Sequence, residues 1–79
     1  MSYRPLVETL ISSVVDDPAQ LQIEEEQEMG ARTFFVRVSP EDVGKVIGKR
    51  GQVVSAIRCV VSAAAAKSRE KAFVKIVTE

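Results

Sequence analysis

The sequence predicts an α+β domain in the order helix–strand–strand–helix–helix–strand, with one three-stranded sheet and its helices packed on one face. Three observations carry this. Apolar residues recur every three or four positions over 4–15 and 43–67. They alternate with polar residues over 20–28, 33–38 and 72–78. A chain of 79 residues holds one domain, 1–79, and is too short for two.

The first helix rests on Leu6, Val7, Leu10, Ile11, Val14 and Val15, with Pro5 in its first turn. Asp16-Asp17-Pro18 stops it, because the residue before proline is pushed out of helical geometry. Leu21 and Ile23 alternate with Gln22 and Glu24, giving a strand over about 20–28. The run Glu24-Glu25-Glu26 marks that strand as an exposed edge, where charge discourages pairing with other chains. Met29-Gly30-Ala31 is the turn into the second strand. There Phe34, Val36 and Val38 face one way and Phe35 and Arg37 the other.

Ser39-Pro40-Glu41-Asp42 reads as a helix start: Ser39 at the N-cap, Pro40 at N1 and acids in the first turn. The short helix it opens runs to about Ile47. A turn occupies 48–51, and a longer helix continues to about Lys67. Lys67, Arg69 and Lys71 lie at or beyond its end, where cations suit the dipole. In the last strand, 72–78, Val74 and Ile76 face one way and Phe73, Lys75 and Val77 the other.

Composition narrows the function. Only four residues are aromatic, so the core must be aliphatic. The chain has no histidine and a single cysteine, Cys59, which excludes a Cys/His metal site and histidine-based catalysis. Cys59 sits mid-helix among apolar residues and reads as an inert small hydrophobe. With no nucleophile–base pair in view, neither an enzyme nor a bound cofactor is expected. No stretch has the length of a membrane span, and Arg4 and Pro5 interrupt any leader-like start. A cytoplasmic protein with no membrane partner and no small-molecule substrate is expected.

The formal net charge is zero, but it is unevenly distributed. Asp16, Asp17, Glu24, Glu25, Glu26, Glu28, Glu41 and Asp42 lie in the first part. Lys45, Lys49, Arg50, Arg58, Lys67, Arg69 and Lys71 follow, against Glu70 alone. A local field of this kind steers an anion even when the net charge vanishes.

Inside the basic segment lies Val46-Ile47-Gly48-Lys49-Arg50-Gly51, a GxxG turn with two cations at its tip. Glycine tolerates positive φ and lets a bulky anion approach the main chain. The helix that follows offers free N–H groups and a favourable dipole. A nucleoside-triphosphate loop is the competing reading of Gly44 to Lys49. It fails, because such a loop needs four residues between its glycines and Ser or Thr after the lysine. Here there are three, and Arg50 follows.

The pattern V-I-G-K-R-G-x-x-V-x-x-I, ending on Val54 and Ile57, resembles the core motif of KH domains. In length and element order nearly the whole chain is similar to the small bacterial single-KH-domain RNA-binding proteins of the KhpA type. The resemblance implies a type II KH fold, in which the extra helix and strand precede the core. It implies a clamp for about four nucleotides of single-stranded RNA, backbone on the turn and bases in a groove. Gly48 and Gly51 would admit the backbone, and Lys49 and Arg50 would hold phosphate. Val46, Ile47 and Val54 would support the loop and offer some aliphatic surface, with Lys45 and Arg58 at the rim. Strand 33–38 and its neighbouring loop would form the opposite wall.

With Phe34 in the core, that groove has no aromatic partner for bases, so weak, salt-sensitive, loosely sequence-specific binding is expected. The resemblance also implies RNA chaperone or post-transcriptional control linked to growth, cell shape and envelope. Its implied partners are a second copy and a larger KH-containing protein. On the long helix, Val54, Ile57, Val61 and Ala64 make one apolar stripe. Val53, Ala56, Val60 and Ala63 make another, which lines the groove, packs on the first helix or forms a homodimer surface.

Overall fold

A computed structural model describes residues 3–77. Its main elements are α1 (Arg4–Ser12), β1 (Gln22–Glu28), β2 (Ala31–Arg37), α2 (Val43–Ile47), α3 (Gln52–Lys67) and β3 (Lys71–Ile76). Short 3-10 turns occupy Pro18–Gln20, Pro40–Asp42 and Lys49–Gly51. The expected α-β-β-α-α-β order is present, and the expected last strand residue, Thr78, lies outside the described residues.

Helix α1 ends three residues earlier than its apolar spacing predicts. The Ser12 and Ser13 hydroxyls donate to the Thr9 and Leu10 carbonyls at 3.3 and 2.7 Å, and the Val14 N–H turns back to Ile11. Such local side-chain bonds compete with the helical ladder. Val15 is buried all the same.

The strands β1 and β2 pair antiparallel, from Glu28 against Ala31 to Gln22 against Arg37. Their loop is just Met29 and Gly30, with φ of 43° and 82°. Positive φ at both central residues is the mirror-image turn that matches strand twist. The third strand, β3, pairs parallel with β2, which puts β2 in the centre of the sheet. Parallel neighbours need a long crossover, and α2, the turn and α3 supply it.

All three helices lie on one face. Val7 and Ile11 of α1 and Ile57, Val61 and Ala65 of α3 meet Phe34, Val36 and Val74 of the sheet. The inner stripe of α3 therefore ends on Ala65, with Ala64 half-buried. Of the second stripe, Val53 is half-buried against the core, whereas Ala56, Val60 and Ala63 are exposed. Cys59, mid-helix beside them, is exposed too.

Helix α3 closes with the Glu70 N–H on the Ala65 carbonyl and the Arg69 N–H on that of Ala66. Arg69 at φ 59° takes the left-handed position usually given to glycine.

Candidate nucleic-acid interface

Three of the four residues in the turn between α2 and α3 have positive φ. Gly48 has φ 77° and ψ 174°, Arg50 φ 57° and ψ 26°, and Gly51 φ 75° and ψ 16°. The two glycines serve different ends. A Cβ on Gly48 would lie 2.4 Å from Val53 Cγ2 and 2.8 Å from the Val53 N. Gly48 is thus required by the chain's own packing: it lets the turn fold onto the start of α3. A Cβ on Gly51 would meet nothing within 4 Å. Its open side is the one a large anion can approach.

Within the turn, the Gly48 N–H donates to Gly44, the Gly51 N–H to Gly48 and the Gln52 N–H to Lys49. Lys49 and Arg50 project from the tip, exposed, and pair with no carboxylate among the described residues. The other two cations of the expected site are engaged. Lys45 pairs with Asp16 and, at 3.9 Å, with Asp42. Arg58 donates from Nε to the Val74 carbonyl at 3.0 Å.

Asp42 is a site residue that sequence reading missed. It is 2 % exposed, and its carboxylate accepts from the Asp17 N–H at 3.0 Å. The acid expected to favour a first turn instead ties the loop after α1 to the start of α2. Neither Ser39 nor Asp42 makes a side-chain cap bond to its own helix. The signal available was Asp-Asp-Pro beside Ser-Pro-Glu-Asp, but it does not say which acid points inward.

Val46 and Val54 are buried, so they hold the turn and present no surface to a base. Ile47 is half-buried and supplies the remaining aliphatic surface beside Gly48. The opposite wall needs a larger correction. Most of strand 33–38 cannot provide it, because β2 is central and Phe34 and Val36 are fully covered by the helices; only its end and the neighbouring loop, Arg37, Val38 and Pro40, line a trough with Val43 of α2. The strand that flanks α3 at the edge is β3. A trough of about 210 Å³ runs between them, lined by Arg58, Ser62, Ala72, Phe73, Val74 and Lys75.

Arg32 marks a second charged cluster, on the helix side of the sheet. Its Nε lies 3.0 Å from Glu70 Oε2 and its Nη1 3.1 Å from Glu25 Oε2. The Tyr3 hydroxyl donates to Glu70 Oε1 at 3.0 Å, and the guanidinium stands 5.4 Å from the centre of the Tyr3 ring. The Tyr3 hydrogen bond, followed by the Arg32 bond and charge, holds the Glu70 carboxyl below its usual range against the effect of burial. Burial pulls the Arg32 guanidinium down, but its bond to Glu70 and the charges of Glu70 and Glu25 outweigh that and hold it up. No buried side-chain polar atom among the described residues lacks a partner. No helix among them is long and apolar enough to cross a membrane, and no acidic or cysteine cluster could hold a metal.

Residues 4–76 match the model of the family described as KhpA/KhpB, KH domain. The chain is 40 % identical over 74 residues to an RNA-binding protein KhpA of Clostridium acetobutylicum, covering 94 % of this chain and 99 % of the relative. It is 43 % identical to the protein of that name from Clostridium perfringens, with the same coverage. The Listeria monocytogenes protein of that name is 35 % identical over 72 residues, covering 91 % of this chain and 95 % of the relative. These are names of RNA-binding proteins, not of enzymes.

Proposed function

The chain belongs to the KhpA/KhpB KH-domain family, and from that premise we propose that it is a single KH module that clamps single-stranded RNA. The phosphodiester backbone lies against the open side of Gly51, beside Lys49 and Arg50. The bases turn into the trough between α3 and the β3 edge. The carrying observation is the tip of the turn, where two exposed cations without carboxylate partners precede a left-handed glycine whose outer side is empty among the described residues.

The surroundings support this reading. Between Val43 and Val77 the only carboxylate is Glu70, and it is held by Arg32 and Tyr3. Lys45 acts less as a phosphate contact than as a tie between α2 and the Asp16 loop. Two free cations make a modest clamp. Each phosphate neutralised on a single strand contributes a slope of about −0.7 in log K against log salt, so the wild type should show a slope near −1.4. Such weak, salt-dependent holding suits an RNA chaperone or post-transcriptional regulator better than a high-affinity reader of one sequence.

The test is binding of a fluorescent single-stranded RNA pool at two salt concentrations, with the wild type beside Lys49→Asp/Arg50→Asp. Salt-sensitive binding that the variant loses, with its fold intact by circular dichroism, is the expected result. Undiminished binding by the variant removes the turn as the clamp.

A second reading, self-association or docking on another KH-containing chain, rests on Ala56, Cys59, Val60 and Ala63. They are exposed together at helical spacing, and small residues allow close helix approach. Val60→Lys should lower the sedimentation coefficient if this stripe is an interface between copies. A monomeric wild type at high concentration removes the homodimer.

A further inference from the structure

The face of the sheet away from the helices is uncovered, and its two edges differ. Along β1 it carries Glu24, Glu26 and Glu28. Along β3 it carries Lys71, Phe73 and Lys75. Phe73 is 50 % exposed, the larger of the two outward aromatics, and the register sets it opposite Thr33 and diagonal to Phe35. The Lys75 ammonium stands 5.9 Å from the centre of the Phe35 ring, so it keeps a position beside the aromatic pair.

Phe73 and Lys75 line two troughs at once. One is the space between α3 and the β3 edge, with Arg58 and Ser62 on its other side. The other is the open outer face. The ring therefore stands where the groove beside α3 turns around the edge of the sheet. Arg58, which meets Val74, is six residues into α3, about 9 Å along the helix axis from its start.

We infer that Phe73, flanked by Lys71 and Lys75, is a base-stacking position for single-stranded RNA that leaves the GxxG clamp and passes around the β3 edge. This rests on the clamp proposed above and extends it past the rim of the groove onto the outer face of the sheet. An exposed phenyl ring offers every base a π-face, and base–aromatic stacking tolerates any sequence. The two lysines stand two residues to either side on the same face, placed to meet the phosphates of the stacked nucleotide. The acidic column along β1 confines the strand to the β3 half of the face. A second copy is the competing occupant, since its acidic edge could cover this basic one. The observations favour RNA, because Phe73 is shared with the groove and the path from turn to ring crosses no unpaired carboxylate.

The test compares four- and eight-nucleotide single-stranded RNAs on the wild type, Phe73→Leu and Phe73→Tyr, with sedimentation of each protein. Leucine keeps an apolar side chain at a half-exposed site, so the fold should survive. The tyrosine variant keeps the ring. The eight-nucleotide strand should bind the wild type and Phe73→Tyr about ten- to a hundredfold tighter than it binds Phe73→Leu, the size of one stacked base. The four-nucleotide strand, whose bases lie in the trough that Phe73 rims, should lose clearly less than the eight-nucleotide strand between wild type and Phe73→Leu.

Equal binding of the longer strand by Phe73→Leu overturns the inference and leaves the clamp standing. Equal loss for both strands overturns it too, by making Phe73 a structural support of the clamp. A dimer that Phe73→Leu converts to monomer assigns the face to a second copy and overturns it. If neither strand binds the wild type, the clamp itself has failed and the inference falls with it.

Discussion

The tip of the GxxG turn and the cluster around Arg32 carry the same kind of charge and use it in opposite ways. Arg32 is held by two carboxylates, at 3.0 and 3.1 Å, and lies near an aromatic ring, with only 13 % of its side chain exposed. Lys49 and Arg50 are exposed and pair with no described residue. The first arrangement joins the segment before α1, β1, β2 and the end of α3 into one body. The second leaves its charge to whatever approaches. What separates a structural cation from a binding one is the partner, and the backbone decides which is available. Arg32 alternates inward on the central strand, whereas the turn forces Lys49 and Arg50 outward.

The sharpest way to break this comparison is through the glycine that forces the turn. Gly48→Ala places a Cβ against Val53 at 2.4 Å, in a backbone region that essentially only glycine occupies. We expect a loss of about 3 kcal/mol or more in urea unfolding, from strain and overpacking together. Gly51→Ala meets no neighbour and should cost only about 1–2 kcal/mol for its left-handed conformation. Similar costs at the two positions would show that Val53 moves aside and that Gly48 is not the hinge of the site.

On the other side of the comparison, Arg32→Ala should lower the melting temperature by several degrees, since it strands Glu25 and Glu70 without their cation. Replacing both Lys49 and Arg50 by alanine should change unfolding by no more than about 0.5 kcal/mol, as expected for exposed residues without partners. If Arg32→Ala proves as mild as the turn variant, the cluster adds no stability and the contrast collapses.

Much of the turn was legible in the chain, and almost none of the Arg32 cluster was. Gly48 to Gly51 stand in sequence with helical periodicity on both sides, so local pattern predicts the turn, its cations and the ends of α2 and α3. The order of elements was equally local, and it carried the family resemblance. The misreadings come from long-range placement. Strand 33–38 read as a groove wall because alternation gives two faces but not sheet order, and only the parallel pairing with β3 makes it central. Glu25 read as part of an exposed acidic run, although its side chain points inward towards Arg32. Arg58 read as a free rim cation because nothing in sequence shows the Val74 carbonyl sixteen residues away. Phe73 read as the outward residue of a strand, but its standing beside the groove required the register.

Acid separates the two regions more finely. Glu70 is held below its ordinary value of 4.5, so the unfolded chain binds that proton more tightly than the folded one. Its contribution is present above about pH 4.5 and is lost as pH falls through the lowered value. The urea midpoint of the wild type should therefore drop between about pH 5 and pH 3, and the drop should be shallower in Glu70→Gln. The double alanine variant at Lys49 and Arg50 leaves Glu70 and its partners Tyr3 and Arg32 in place, so it should follow the wild-type pH profile. A Glu70→Gln profile parallel to wild type would assign the acid sensitivity to other carboxylates.

The finest contrast lies where the two regions come nearest in sequence logic, at left-handed arginines. Arg50 and Arg69 both have φ near 60°, yet the reasons differ. Arg50 is at the tip of a turn that presents its charge. Arg69 closes α3 in a position where glycine is the usual residue, and its backbone bonds do not depend on its side chain. Arg69→Gly should stabilise the fold by about 1 kcal/mol, because glycine adopts this conformation without the steric cost of a Cβ. It should leave RNA affinity within a fewfold of wild type. Arg50→Gly relieves the same strain but removes half of the clamp's charge, so it should gain stability and lose RNA binding together. A substitution at each arginine, scored for both properties, therefore separates conformational strain that positions a ligand-binding charge from strain that merely ends a helix. If Arg69→Gly also loses RNA, the basic surface extends to the end of α3, and the tip of the turn is not the clamp's only source of charge.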